Sequence, residues 1–286
     1  MKGEHSIRML CELLNVSHSG YYRWRQQRPS ARQREDAVIA VKVAAAHRAS
    51  RGTYGAPRIL VDLQEEGTRT SKRRCARLMR EQGLRGRKKH RRRPRTTDSR
   101  HTKPVAENLL AIQPAPTRPN QCWLTDITYI ETAEGWLYLA AILDLWSRRI
   151  VGWACGLTLQ TSLVLAALHD ALKRRRPPTG LLHHSDRGSQ YVDADYIKAL
   201  EAAGIDRSMS RAGNCYDNAP MESFWSTLKS DTGFDESIPA SRRHAELAVF
   251  DYIETFYNPT RRHSSIGQIS PVAFEKKQQP KHIKAA

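Results

Sequence analysis

The spacing of apolar residues changes once along the chain, close to residue 120. Before that point, apolar side chains recur every three or four positions, which predicts helices. From Trp123 onward they alternate with polar residues or run continuously through β-branched residues, which predicts strands. We therefore expect a helical first part and a second part that is built on a sheet.

Four helices are predicted in the first 66 residues. Residues 6–27 predict two short helices with a break near Val16 and Ser17, which is the spacing of a helix-turn-helix unit. Residues 35–49 predict a third helix. A fourth, at residues 57–66, opens with a proline, a residue favoured in the first turn of a helix.

A fifth helix is predicted after Ser71, in the segment SKRRCARLMREQGL. Its apolar stripe would face a core, which leaves the arginines on the remaining surface. We interpret it as a recognition helix for nucleic acid; the alternative is an ordinary amphipathic helix whose arginines are only solvated. The arginines in question are Arg73, Arg74, Arg77 and Arg80.

The second part predicts an α/β fold. Strands are expected at residues 123–132, 136–144 and 148–156, a helix at 161–175 and a fourth strand at 181–186. A helix, a short strand and a last helix follow. Three antiparallel strands and then α-β-α-β-α is the order of elements in a ribonuclease H-like mixed sheet with flanking helices. In that topology the first and fourth strands are neighbours.

Composition narrows the class of protein. The chain has 286 residues, 40% of them hydrophobic, enough for one sizeable core and a second small domain. No apolar run is long enough to span a membrane and no signal peptide precedes the first helix, so we expect a cytoplasmic protein without a membrane partner. The five cysteines lie far apart, which argues against a zinc ribbon or a disulfide framework and favours reduced, mostly buried thiols.

Positive charge is concentrated in one segment. The formal net charge is +18, and residues 67–103 carry 16 Lys and Arg against 2 Asp and Glu, whereas residues 104–286 carry 20 of each. Because lysine and arginine displace counterions from phosphates, this block predicts nucleic-acid binding; the alternative is a basic surface that only aids solubility. A later cluster at 261–263 predicts further phosphate contacts, or else a solvated loop. Further candidates for DNA contact in the arm after residue 86 are Lys88, Lys89, Arg91 and Arg92.

These patterns divide the chain into five segments. We expect an N-terminal helical segment at 1–34, a helical and basic DNA-binding region at 35–103, a linker at 104–119, the sheet-containing core at 120–275 and a tail at 276–286. The proline-bearing sequence before residue 120 marks the change from helical to sheet composition.

Three carboxylates are placed to meet in the predicted core. Asp126 lies in the middle of the first strand, Asp186 at the end of the fourth, and Glu222 in the first turn of the last helix. Converging carboxylates repel one another unless a cation is present, and Mg²⁺ or Mn²⁺ prefers oxygen ligands. Two such ions can activate an attacking oxygen and stabilise the leaving oxygen of a phosphodiester.

Each acid also has a structural explanation. Asp126 could cap a turn or pair with an arginine, Asp186 could be a turn residue of the Asp-x-Gly type, and Glu222 could complement the dipole of its helix. Their joint occurrence with the basic block favours metal-dependent chemistry on a phosphodiester over three unrelated structural roles.

The chain resembles, nearly end to end, the DDE transposases of bacterial insertion sequences, namely the second-frame (OrfB-type) product of the insertion sequence three family, whose core is similar to that of retroviral integrases. Asp186 and Glu222 are separated by 35 residues, which is the D(35)E spacing of this family. The segments that carry the resemblance are VSHSGYYRW at 16–24, YGAPRI at 54–59, WLTDITYI at 123–130, HSDRGSQY at 184–191, SMSRAGNCYDNAPMESFWSTLK at 208–229 and FYNPTRRHSSIGQISPVAF at 256–274.

The resemblance implies a transposase in which Asp126 bridges two Mg²⁺ or Mn²⁺ ions while Asp186 and Glu222 each hold one. It also implies that Lys229, two turns after Glu222, contacts DNA near the joint. Two more candidates for DNA contact lie beside the acids. They are Arg187 and Tyr216, the latter by stacking on an unpaired base.

The implied partner is DNA, at both the element ends and the target, in the cytoplasm of a bacterium and close to its nucleoid. Because strand transfer needs two ends held together, we expect a homo-oligomer on DNA. The family also implies a fusion with an upstream first-frame protein through ribosomal frameshifting. Two competing hypotheses stay open: a ribonuclease H-like nuclease, and a DNA-binding regulator of transposition without catalytic activity.

Overall fold

The structure is a computed structural model that describes residues 6–26, 29–87, 106–211 and 218–278. Its contacts divide the chain into two units, Met1–Gly86 and Arg87–Ala286, which are described separately. No helix within those described ranges is both long and apolar enough to cross a membrane.

The first unit contains the five predicted helices. Three of them, α3 to α5, pack around a small core in which Val43, Ile59 and Leu63 are completely buried. In contrast, α1 and α2 together contribute one buried residue, Cys11. The helices are α1 (Ile7–Leu13), α2 (His18–Arg25), α3 (Ala31–Ala49), α4 (Ala56–Glu65) and α5 (Lys72–Glu81).

Local capping explains where these helices begin. A serine side chain accepts a backbone N–H from the first turn of α1, α2, α3 and α5, which satisfies a donor that the helix cannot. At α3, Ser30 and Gln33 form a reciprocal capping box, so this helix starts at Ala31. The segment boundary that we predicted between residues 34 and 35 therefore falls inside α3.

The second unit is built on a five-stranded sheet in the order β3-β2-β1-β4-β5. The first three strands are antiparallel, while β4 pairs in parallel with β1, and β5 with β4. The predicted mixed sheet and the neighbouring first and fourth strands are thus confirmed. The strands are β1 (Cys122–Thr132), β2 (Gly135–Asp144), β3 (Ile150–Gly156), β4 (Leu181–Ser185) and β5 (Ile205–Met209).

Helices complete this unit. Under α6 and α7, a buried cluster includes Trp123, Val164, Leu168, Tyr196 and Leu200. Because side chains alternate along a strand, the neighbours of Trp123 in β1 face the other side of the sheet, where α8 and α9 contact β1. The helices are α6 (Thr161–Arg175), α7 (Ala194–Ala202), α8 (Ala219–Thr232), α9 (Arg242–Phe250), which runs into a π-helical segment Asp251–Tyr257, and α10 (Pro271–Gln278).

Two more predicted boundaries differ from the structure. Part of the predicted linker at 104–119 packs on the edge of the sheet, since the Met209 N–H donates to the Glu107 carbonyl at 3.3 Å and the Leu110 N–H to Ser208 Oγ at 3.3 Å. The tail predicted to begin at residue 276 begins inside α10.

His183 of β4 gives a pH-dependent contribution to stability. Its Nε2 lies 3.1 Å from the Tyr196 hydroxyl, and burial lowers the pKa of His183 to about 3, with His184 lowering it further. An unfolded histidine titrates near pH 6.5, so below that pH only the unfolded chain gains a proton, and stability is lost as the pH falls toward 3. At pH 5 the loss from this residue is about 2 kcal/mol.

Urea unfolding at pH 7 and pH 5 measures this contribution. His183→Gln is expected to lose about 2 kcal/mol less than the parent between the two pH values. The matched control is His244→Gln on α9, where the side chain is exposed. Equal pH dependence in His183→Gln and the parent would contradict the assignment.

Candidate active site

Asp126 lies in β1 on the side of the sheet that faces α8. Its Oδ1 accepts the Ile127 N–H at 2.8 Å, and its Oδ2 accepts the indole N–H of Trp225 at 2.9 Å. Burial raises the pKa of Asp126 to about 7, with Asp186 and, more weakly, Glu222 raising it further. Both other acids therefore lie close enough to Asp126 to repel its negative charge.

Asp186 follows β4 directly. Leu124 pairs with His184 in the parallel register, and the same register continued by two residues brings Asp126 of β1 level with Asp186, just after β4. The Asp186 Oδ1 accepts the Gly188 N–H at 2.9 Å, and a Cβ on Gly188 would lie 3.0 Å from that oxygen, so a glycine suits the turn. The turn and the approach to Asp126 are thus compatible roles for one carboxylate.

Glu222 is exposed in the first turn of α8. The helix begins after Asn218, whose Oδ1 is buried without a hydrogen-bond partner in the described part of the chain. Tyr216 lies outside the described residues, so its predicted stacking on a base stays a prediction.

The donor set fits a hard divalent cation in its chemistry. Two carboxylates level on adjacent strands and a third nearby provide oxygen ligands, and the raised pKa of Asp126 reflects a repulsion that a cation would remove. Across the four described ranges, however, no group of three or more His, Cys, Asp and Glu side chains is gathered closely enough to hold a metal ion. Glu222 is the exposed member of the three.

Comparisons with known proteins identify the family. Residues 116–215 match the family described as "Integrase core domain", residues 203–271 match a second family of the same description, and residues 33–93 match the family described as "HTH-like domain". The chain is 41% identical over 278 residues to "Transposase InsF for insertion sequence IS3A" of Escherichia coli (strain K12), covering 96% of each. The chain belongs to the InsF family of insertion-sequence transposases. The predicted family and the integrase-type core are thus confirmed.

Other relatives of this InsF-family transposase agree in length. It is 48% identical over 268 residues to "Insertion element IS600 uncharacterized 31 kDa protein" of Shigella sonnei, covering 94% of this chain and 98% of that protein. Among solved structures, it aligns with the simian T-cell lymphotropic virus intasome in complex with PP2A regulatory subunit B56 gamma (TM-score 0.48, 14% identity, 84% of this chain and 76% of that one). It also aligns with the HTLV-2 integrase catalytic core domain in complex with magnesium (TM-score 0.45, 15% identity, 56% and 98%).

The positive charge of α5, the predicted recognition helix of the transposase, is partly neutralised by acidic side chains of α3. The Arg74 Nε lies 2.6 Å and an Arg77 guanidinium nitrogen 2.7 Å from the carboxylate of Asp36 on α3. Arg74 also pairs with Glu35, at 3.0 Å. These bonds join α5 to α3 and occupy both guanidinium groups, and the DNA contacts of Arg74 and Arg77 stay predictions.

The other predicted DNA contacts have different surroundings. Arg73 and Arg80 are exposed on α5. Arg187 donates from Nε to the Ser210 carbonyl at 2.9 Å, which ties the end of β4 to the end of β5. Lys229 is half-buried with Nζ 5.3 Å from the centre of the Tyr129 ring, and burial lowers the pKa of Lys229. Those that lie outside the described residues are Lys88, Lys89, Arg91 and Arg92.

Sequence reasoning missed Trp225 as a functional residue. Its indole N–H is the side-chain donor to Asp126, and the ring is 7% exposed. The available signal was spacing, since Trp225 lies three residues after Glu222 and so one turn further along α8.

Proposed function

We propose that this transposase cuts and joins DNA strands at the ends of an insertion sequence, with divalent metal ions held by Asp126, Asp186 and Glu222. The observation that carries the proposal is the level placement of Asp126 and Asp186 on parallel neighbouring strands, with Glu222 near enough to raise the pKa of Asp126 further. Three carboxylates that hold two divalent cations suit phosphoryl transfer, because the ions activate the attacking oxygen and stabilise the leaving one.

The residues of the chain hold and orient the acids. Trp225 and the Ile127 N–H bind the two oxygens of Asp126, and the Gly188 N–H binds one oxygen of Asp186. Two Mg²⁺ or Mn²⁺ ions, when bound, would supply activation of the attacking oxygen and stabilisation of the leaving one. Glu222 would complete the ligand set by approaching from α8.

DNA is the proposed partner through several surfaces. The exposed Arg73 and Arg80 and the basic arm after residue 86 suit phosphate contacts, and Lys229 suits a contact close to the acids. We propose that a homo-oligomer holds the two ends. The fusion with an upstream first-frame protein and the cytoplasmic location stay predictions from the sequence.

A strand-transfer assay tests the proposed function against its competitors. Pre-cut element ends, target DNA and Mg²⁺ are incubated with the chain, with and without the upstream frame product. Joined strands are the expected result. Free cut strands without joined product would favour a ribonuclease H-like nuclease, and DNA binding without cutting or joining would favour a regulator.

Trp225→Phe is expected to lower the rate of joining by about 10- to 100-fold, because a hydrogen bond to a charged group contributes about 1.5–3 kcal/mol. Phenylalanine keeps an apolar ring beside Phe224 but has no N–H for Asp126. The rate of joining at saturating Mg²⁺ measures the effect.

Trp153→Phe is the matched control, since the indole of Trp153 donates to the Glu254 carboxylate, also at 2.9 Å, from the edge strand β3. The same chemical change there should leave the rate of joining within about twofold, the scale of an ordinary surface substitution. Equal rates in both variants would mean that Trp225 does not orient Asp126 for the reaction.

A further inference from the structure

A cleft of about 450 Å³ opens in the second unit at the end of the sheet where β1 and β4 begin. It is separate from the acids, which lie where β4 ends. Its walls come from the segment before β1, the turn after β2, the last turn of α6 and the end of α10. Its lining includes Thr117, Arg118, Trp146, Arg174, Arg175 and Gln278.

Buried ion pairs hold the walls of this cleft together. Arg175 of α6 lies 2.9 Å from Glu275 of α10, and Arg149, just before β3, lies 2.7 Å from the same carboxylate. The side chains of Arg175 and Glu275 are 12% and 9% exposed. Arg174 is paired as well, with Asp170 at 2.8 Å and Glu254 at 2.7 Å. Two of the arginines that line the cleft, Arg174 and Arg175, are therefore occupied in ion pairs.

A second set of basic side chains lies around these ion pairs and is exposed to solvent. None of its members forms an ion pair with any residue that the structure describes, in contrast to the paired arginines beneath them. Because residues 104–286 carry equal numbers of basic and acidic residues, such a cluster makes the distribution of charge within this range uneven. The set consists of Arg118, Lys173, Arg176, Lys276 and Lys277.

We propose that this cleft and its five exposed cations bind the phosphate backbone of duplex DNA, as a second DNA-contacting surface of the core. The proposal rests on the proposed function, which makes DNA the substrate. Exposed lysine and arginine side chains that have no acidic partner can bind successive phosphates along a DNA strand. No base-specific contact is required of them.

The position of the surface suits DNA that is also engaged at the acids. The five residues of β4 separate the two places, and at about 3.3 Å per residue they span about 17 Å. Duplex DNA rises 3.4 Å per base pair, so this corresponds to about five base pairs. The contact therefore belongs to DNA flanking the reacting phosphodiester.

Two double variants of the full chain test the proposal: Lys173→Gln with Arg176→Gln on and just after α6, and Lys276→Gln with Lys277→Gln on α10. The control, Lys198→Gln with Arg207→Gln, removes the same two charges from α7 and β5. Fluorescence anisotropy with a labelled duplex measures affinity as a function of salt. In a plot of log affinity against log salt concentration, the steepness of the slope falls by about 0.9 for each phosphate contact that is removed. The slope of each cleft variant should therefore be less steep than the parent's by about 1 to 2, and the slope of the control should equal the parent's.

The outcomes separate this proposal from the proposed function. The proposed DNA-binding surface would be refuted if both cleft variants kept the parent's slope, or if the control lost as much slope as the cleft variants. If the parent fails to join strands but the cleft variants still lose slope, the surface stands and the proposed chemistry fails. Two independent doubles guard against misfolding of one, which circular dichroism would reveal.

Discussion

Asp186→Asn is expected to reduce the cutting and joining of DNA by about 10³-fold or more while DNA affinity changes little. The asparagine carbonyl can still accept the Gly188 N–H, so the turn after β4 is kept, but the charge that would hold a cation beside Asp126 is lost. A metal ion contributes several kcal/mol to stabilising a transition state of this kind, and about 4 kcal/mol corresponds to 10³ in rate. The strand-transfer assay gives the rate, and anisotropy gives the affinity.

The chain offers a close control in Asp193→Asn. Asp193 also accepts a backbone N–H two residues ahead, from Asp195 at 3.0 Å, at the start of α7. The same substitution in the same kind of turn should leave the rate of joining near that of the parent. Unchanged activity in Asp186→Asn, or an equal loss in Asp193→Asn, would refute the assigned role of the carboxylate.

The fold of the core could be predicted because its elements are long and regular in pattern. Alternation in β1 to β3 and the helical stripe of α6 gave the strand and helix positions to within two residues. The placement of Asp126 level with Asp186 then followed from topology alone. Spacing could not show how far Glu222 stands from them, because that depends on the segment before α8.

Long-range ion pairs explain most of what sequence patterns missed. Arg74 and Arg77 have the spacing of a DNA-facing surface, yet Asp36, 38 residues before Arg74, binds both. Periodicity describes which face of a helix is polar but not which partner faces it. In the basic cluster at 261–263, Arg261 also has an acidic partner that is distant in sequence. Arg261 is 4% exposed and paired with Asp231, so it does not follow phosphates.

Arg261→Ala is expected to lower the free energy of unfolding by about 3–5 kcal/mol, the usual cost of removing one partner of a buried ion pair. The Arg261 Nε lies 2.5 Å from Asp231 Oδ2, and both side chains are 5% exposed. Tyr252 also donates its hydroxyl to that oxygen, at 2.9 Å, but one neutral donor does not compensate a buried carboxylate. Urea unfolding at pH 7 measures the change.

Replacing both partners distinguishes a buried charge from lost packing. Asp231→Leu combined with Arg261→Met should recover most of the stability, because an apolar pair of similar volume avoids the cost of desolvating two charges. The exposed pair of Arg243 with Glu246 on α9 is the surface control, and Arg243→Ala should change stability by less than about 1 kcal/mol. A loss below that value in Arg261→Ala would contradict the role given to the pair.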